Sequence, residues 1–96
     1  MSRYLSLISH TDQGIKEVKE SVARAKQFAS LVEATGGRVT GTYWAVGETD
    51  GAVIFETPDE KTGAALLLKL VDQGFVRTKT MRIYDEAEFE SILADV

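Results

Sequence analysis

The sequence predicts an α+β sandwich, a four-stranded antiparallel sheet with its two main helices on one face. Three observations carry this. β-favouring runs and helix-periodic runs follow one another in the order β-α-β-β-α-β-α along 96 residues. Strong punctuation separates them, at Gly36-Gly37, Asp50-Gly51, Pro58 and Gly74. Two successive βαβ units with right-handed crossovers interleave into one such sheet.

Arg3 to Ser9 is short, rich in β-formers and bounded by polar residues, which predicts the first strand. Thr11 or Asp12 then offers an N-cap oxygen, and Asp12 also suits the positive end of a helix dipole. Ile15, Val18, Val22, Ala25, Ala29 and Val32 recur at helical spacing, one apolar stripe that Phe28 and Leu31 widen. Lys16, Glu17, Lys19, Glu20, Arg24 and Lys26 read as the solvated face of this first helix. Gly36-Gly37 ends it, because glycine takes the left-handed C′ conformation at no steric cost.

The second strand is expected from Arg38 to Val46, where Val39, Thr40, Thr42, Tyr43, Trp44 and Val46 all favour β structure. Gly47 to Gly51 breaks it, and Asp50-Gly51 reads as a tight hairpin turn into a third strand from Ala52 to Glu56. Thr57 is expected to cap the second helix, with Pro58 at its first position and Glu60 closing a capping box. Ala64, Leu67, Leu68 and Val71 then face inward, and Gly74 stops the helix. Phe75 to Tyr84 is the fourth strand. Asp85 caps a last short helix, whose Phe89, Ile92 and Leu93 are expected to fold back on the core. No linker, charge block or low-complexity segment interrupts the chain, so residues 1–96 form one domain of the ferredoxin-like, split βαβ type.

Helices cover one face of such a sheet, and a solvated second face should alternate toward polar residues. Here both parities are apolar. In the second strand Val39, Tyr43 and Ala45 oppose Trp44 and Val46; in the third, Val53 and Phe55 oppose Ala52 and Ile54. In the fourth, Phe75, Met81 and Ile83 oppose Val76 and Tyr84. A second copy of the chain is therefore expected on the open face, giving at least a homodimer with Trp44 and Ile54 at the contact.

Eleven Lys and Arg against 15 Asp and Glu give a net charge of −4, a poor match to nucleic acid or an anionic membrane. The third strand also lacks the basic start and aromatic pair with which RNA-recognition domains of this topology stack bases. No apolar run approaches a transmembrane span, and Met1-Ser2-Arg3-Tyr4 lacks the layout of a signal peptide. The absence of Cys excludes a disulfide scaffold and thiolate chemistry and suits a reducing, cytoplasmic setting.

The titratable residues worth weighing meet at one end of the predicted sheet. His10 closes the first strand, Asp50 precedes the third, Arg77 lies at the start of the fourth, and Asp12 opens the first helix, with Glu48 nearby. Such a group could orient a polar small-molecule ligand, and a carboxylate beside His10 would favour its imidazolium, so His10 and Asp50 are expected to be coupled. The plainer account is a strand-end histidine, a helix cap, a hairpin turn and a solvated rim of weak ion pairs. A single His without Cys cannot build an ordinary metal site, so no metal or cofactor is expected. No nucleophile–base pair can be read either.

Tyr4-Leu5-Ser6-Leu7, Thr11-Asp12-Gln13-Gly14-Ile15, Gly36-Gly37, Tyr43-Trp44, Gly47 to Asp50, Pro58-Asp59 and Val76-Arg77-Thr78 span nearly the whole chain. As a set they resemble the GYD-domain proteins of the dimeric α/β-barrel superfamily. The naming motif of that family, Gly-x-Tyr-Asp, reads Gly47-Glu48-Thr49-Asp50 here, with threonine in the tyrosine's place. The resemblance implies the barrel-forming dimer and no particular activity. Relatives in the superfamily include cofactor-free monooxygenases, haem-degrading enzymes and plain binding or stress proteins. The expected function is that of a small homo-oligomeric protein that binds a small molecule or serves a structural role. The alternative is a cofactor-free monooxygenase- or isomerase-like enzyme with a pocket between sheet and helices.

Overall fold

β1 (Ser2–His10) is a central strand, antiparallel to β3 (Gly51–Thr57) on one side and to β4 (Val76–Ile83) on the other. β2 (Arg38–Trp44) adds to the outer side of β3, so the order across the antiparallel sheet is β2-β3-β1-β4. The computed structural model describes residues 1–96. This is the ferredoxin-like arrangement expected from the element order, and no helix is long and apolar enough to cross a membrane.

The first helical segment is not continuous. It comprises α1 (Asp12–Lys16), a 3₁₀ turn at Val18–Glu20, and α2 (Ser21–Ala34). The cap is Thr11, whose hydroxyl accepts from the Gly14 N–H. Because the break resets the helical phase, the expected stripe dissolves at its start: Ile15, Val18 and Val22 are exposed, while Phe28 and Val32 are buried. α2 ends at Thr35-Gly36, with Gly36 at φ 89°, and Gly74 takes φ 86° after the next helix.

α3 (Glu60–Asp72) is capped by Asp59, not Thr57: the Asp59 carboxylate accepts from the Thr62 N–H at 2.8 Å. Thr57 is the last residue of β3 and its hydroxyl donates to the Asp59 carbonyl, so Pro58 stands outside the helix. The later start shifts the buried side. Gly63 and Leu66 are buried, with Leu67 and Leu70 packed on the core, whereas Ala64 and Leu68 face solvent.

The hairpin also differs from expectation. β2 ends at Trp44, Val46 is fully exposed, and a loop of residues 45–50 replaces the tight Asp-Gly turn. Neither Asp50 nor Gly51 has positive φ; Gly51 is already paired with Trp44. A bulge between Val39 and Gly41 inverts the alternation of β2. Val39, Thr42 and Trp44 consequently share the helix side with Phe55, Val53 and Gly51, and Tyr43 lies opposite Ala52 on the other face.

The core is built around Phe55, fully buried on β3. Its ring stacks on Tyr4 at 5.3 Å and meets the edge of Phe28 at 5.4 Å, with Val32, Val53 and Leu66 completing the cluster. On the other face, β1–β3 and β1–β4 pairing aligns Leu5 with Ile54 and Met81, and Leu7 with Ala52. At one end of that face Glu56 is buried between Arg3 and Arg38, accepting from their guanidinium groups at 3.0 and 2.9 Å. The Arg38 hydrogen bond, reinforced by Arg3, holds the Glu56 carboxyl below the usual carboxylate range against the opposing effect of burial.

α4 (Glu86–Leu93) begins with a reciprocal capping box between Asp85 and Glu88. Glu88 also accepts from Arg3 Nη1 at 2.7 Å, which ties the helix to β1. The expected return of its apolar side to the core does not occur: Phe89, Ile92 and Leu93 remain exposed.

Candidate functional site

Where β1 finishes and β3 and β4 begin, the helix side of the sheet is incompletely filled. A cleft of about 80 Å³ lies there between the sheet and α2 and α3. Ile8, Val53 and Val76 line it from the strands, Phe28 and Leu70 from the helices, and Trp44 from the end of β2. The lining is mostly apolar, with a few polar groups, the usual composition of a small-ligand pocket.

Local main-chain geometry holds this end together. The Thr11 N–H donates to the Phe75 carbonyl at 3.0 Å and its hydroxyl to the Gly74 carbonyl at 2.6 Å, which clamps the start of α1 to the start of β4. Gly14 permits that approach, since a Cβ there would sit well inside contact distance of the Phe75 carbonyl oxygen. Asp50 performs the matching task beside β3. Its N–H donates to the Ile8 carbonyl at 2.9 Å, its carbonyl accepts from Ala45 at 2.9 Å, and its carboxylate accepts from the His10 N–H at 2.7 Å.

His10 and Asp50 thus do line one cleft. Their contact runs through the main chain of His10, and the imidazole Nδ1 is shielded from solvent without a hydrogen-bond partner. Asp12 is exposed in the first turn of α1 and Glu48 is exposed in the β2–β3 loop; neither lines the cleft. Arg77 pairs with Ser9, one residue out of phase with the His10–Val76 pair, so it projects from the opposite face of the sheet. Trp44 lines the cleft and Ile54 lies on the open face, so the bulge in β2 separates the two expected interface residues onto opposite sides.

The residue that sequence reasoning missed is Arg24. Placed on a solvated face by the continuous stripe, it is instead a cleft residue, with Cζ 4.5 Å from the centre of the Phe75 ring. Its Nη1 donates to the Glu17 carbonyl at 3.1 Å, and its buried Nη2 has no partner. The available signal was Phe28, the sole aromatic residue of α2. Counting back from it by four and seven gives Arg24 and Ser21, both on the cleft side.

Nowhere in the fold do three His, Asp or Glu side chains converge as metal ligands. The cleft itself offers one cation, one carboxylate and one imidazole. These can hydrogen-bond and orient a ligand. A family model, the GYD domain, matches residues 4–93 of the chain. No curated protein matches it.

Proposed function

The chain belongs to the GYD domain family, and from that premise we propose that it is a homo-oligomeric small-molecule binding protein whose site is the cleft at the end of β1. The observation that carries this reading is the pair of shielded nitrogens without partners, His10 Nδ1 and Arg24 Nη2, in the wall of an otherwise apolar cleft. Buried donors and acceptors in folded proteins are nearly always satisfied, and a bound polar ligand would supply the partners. A volume of about 80 Å³ suits the buried part of a small metabolite and is well short of the space a large prosthetic group occupies.

The open sheet face supports the oligomer. Leu5, Leu7, Ala52, Ile54, Met81 and Ile83 lie on it together, an apolar surface that the sheet of a second copy would remove from water. Such a pairing leaves the cleft on the outer, helix side of each sheet.

A second reading, a cofactor-free isomerase or monooxygenase, draws on the same unpartnered imidazole as a proton carrier. Binding ranks first because the Asp50 carboxylate is engaged by main-chain N–H and no other side chain hydrogen-bonds the imidazole to activate it. Native mass spectrometry of the chain purified from its own host tests the proposal. A co-purifying small molecule, lost in a Val53→Trp variant that fills the cleft, is the expected result. An adduct-free spectrum, together with no cleft response in a fragment screen by NMR, would refute it.

A further inference from the structure

We propose that the cleft selects a small monocarboxylic acid with a flat apolar body, its carboxylate held by Arg24 and His10. This rests on the reading of the cleft as a ligand site and adds the chemistry of the ligand.

The polar groups of the cleft are ordered across the sheet. Asp50 precedes β3, His10 ends β1, and Phe75, beneath Arg24, precedes β4. β1 lies between β3 and β4, so the cation and the carboxylate stand about two strand spacings apart, on the order of 10 Å, with the imidazole between them. The cleft therefore has a cationic end and an acidic end.

Arg24 is built to stay at the cationic end. Its guanidinium lies over the Phe75 ring, and Nη1 is held by the Glu17 carbonyl in the segment linking α1 to the 3₁₀ turn. Nη2 keeps its donors for a ligand. No carboxylate forms an ion pair with Arg24, although Arg3 and Arg38 both do so elsewhere in the fold. A ligand carboxylate would accept one hydrogen bond from Nη2 and one from His10 Nδ1–H, satisfying both shielded atoms together. The body of the ligand would then lie over Ile8 and Val53 toward Trp44. A second carboxylate on that body would approach Asp50, whose charge disfavours it.

The test is amide NMR titration of the full chain with benzoate, with benzyl alcohol as an uncharged analogue of similar size, and with terephthalate as a dicarboxylate. Benzoate is expected to shift the amides of Ile8, Val53 and Val76 and to bind at least about tenfold more tightly than benzyl alcohol, the discrimination a charge-assisted hydrogen bond gives. Terephthalate is expected to bind more weakly than benzoate. Arg24→Gln should bring benzoate down to the level of benzyl alcohol. Equal binding of benzoate and benzyl alcohol to the unaltered chain would overturn carboxylate recognition while leaving the cleft a ligand site. Tighter binding of terephthalate would overturn selection for a single carboxylate. Retained preference for benzoate in Arg24→Gln would remove Arg24 as the anchor. If none of the three compounds shifts the cleft amides, both this inference and the binding reading fail. The comparison among ligands on the unaltered chain decides the matter even if the variant does not fold.

Discussion

Asp50 joins three segments through single hydrogen bonds: the end of β1, the end of the β2 segment and the start of β3. Its carboxylate bond to the His10 N–H is charge-assisted and partly buried. Asp50→Ala should therefore cost about 1–3 kcal/mol in a urea denaturation experiment, and Asp50→Asn less, because the amide keeps an acceptor. A change in stability within error for Asp50→Ala would show that the cleft end is held by other contacts. Glu56 presents a different case. Its carboxyl is held below the usual range by Arg38 and then Arg3, so on acidification the unfolded chain takes up this proton before the folded one. The stabilisation is complete above the ordinary Glu value of about 4.3 and is lost as pH falls below it toward the folded value. Urea midpoints should decline through that acid window, and Glu56→Gln should flatten the decline. Asp59, held low by its bond from the Thr62 N–H, leaves part of the slope in place. An identical pH profile for Glu56→Gln would contradict this account.

At the scale of elements, the position of α1 depends on close contact with the start of β4. Gly14→Ala introduces a methyl group against the Phe75 carbonyl, where backbone must yield. A cost of about 1–3 kcal/mol is expected in chemical denaturation, with amide shifts concentrated in Thr11, Phe75 and Val76. An unperturbed Phe75 amide would mean that α1 moves without disturbing the cleft. α4 is the opposite kind of element, with an apolar side left exposed and polar ties at its first turn. Arg3→Ala removes the bond to Glu88 and should accelerate amide hydrogen exchange in α4 well before the sheet responds. Equal protection of α4 and β1 in that variant would show that the helix is anchored by something other than Arg3.

For the whole molecule, the proposed assembly makes a simple prediction. Ile54 is at the middle of the open face, paired with Leu5 and remote from the cleft. Light scattering of the unaltered chain should give at least twice the 10.5 kDa chain mass, and Ile54→Lys should return it to the single-chain value. Trp44→Ala, on the other side of the sheet, should leave the assembly intact and weaken ligand binding. A monomeric mass for the unaltered chain would sink the oligomer, and loss of assembly in Trp44→Ala alone would place the contact on the helix side.

What the sequence determined by itself is what short-range chemistry encodes. The type and order of every main element followed from β-forming runs, helical periodicity and the punctuation at Gly36 and Gly74, because these act within a few residues. The meeting of His10 with Asp50 followed too, since strand order alone brings the end of β1 beside the start of β3. Phase was decided only by the tertiary structure. The 3₁₀ turn at Val18–Glu20, the late cap at Asp59 and the bulge in β2 each shift a following element by a residue or so. A shift of one residue turns a helix by about 100° and exchanges the two faces of a strand. That is why Leu68 faces solvent, why Trp44 and Ile54 part company, and why Arg24 lines the cleft. Small irregularities of this kind cost little locally and are selected by packing around Phe55 and Phe28, contacts between residues far apart in the chain.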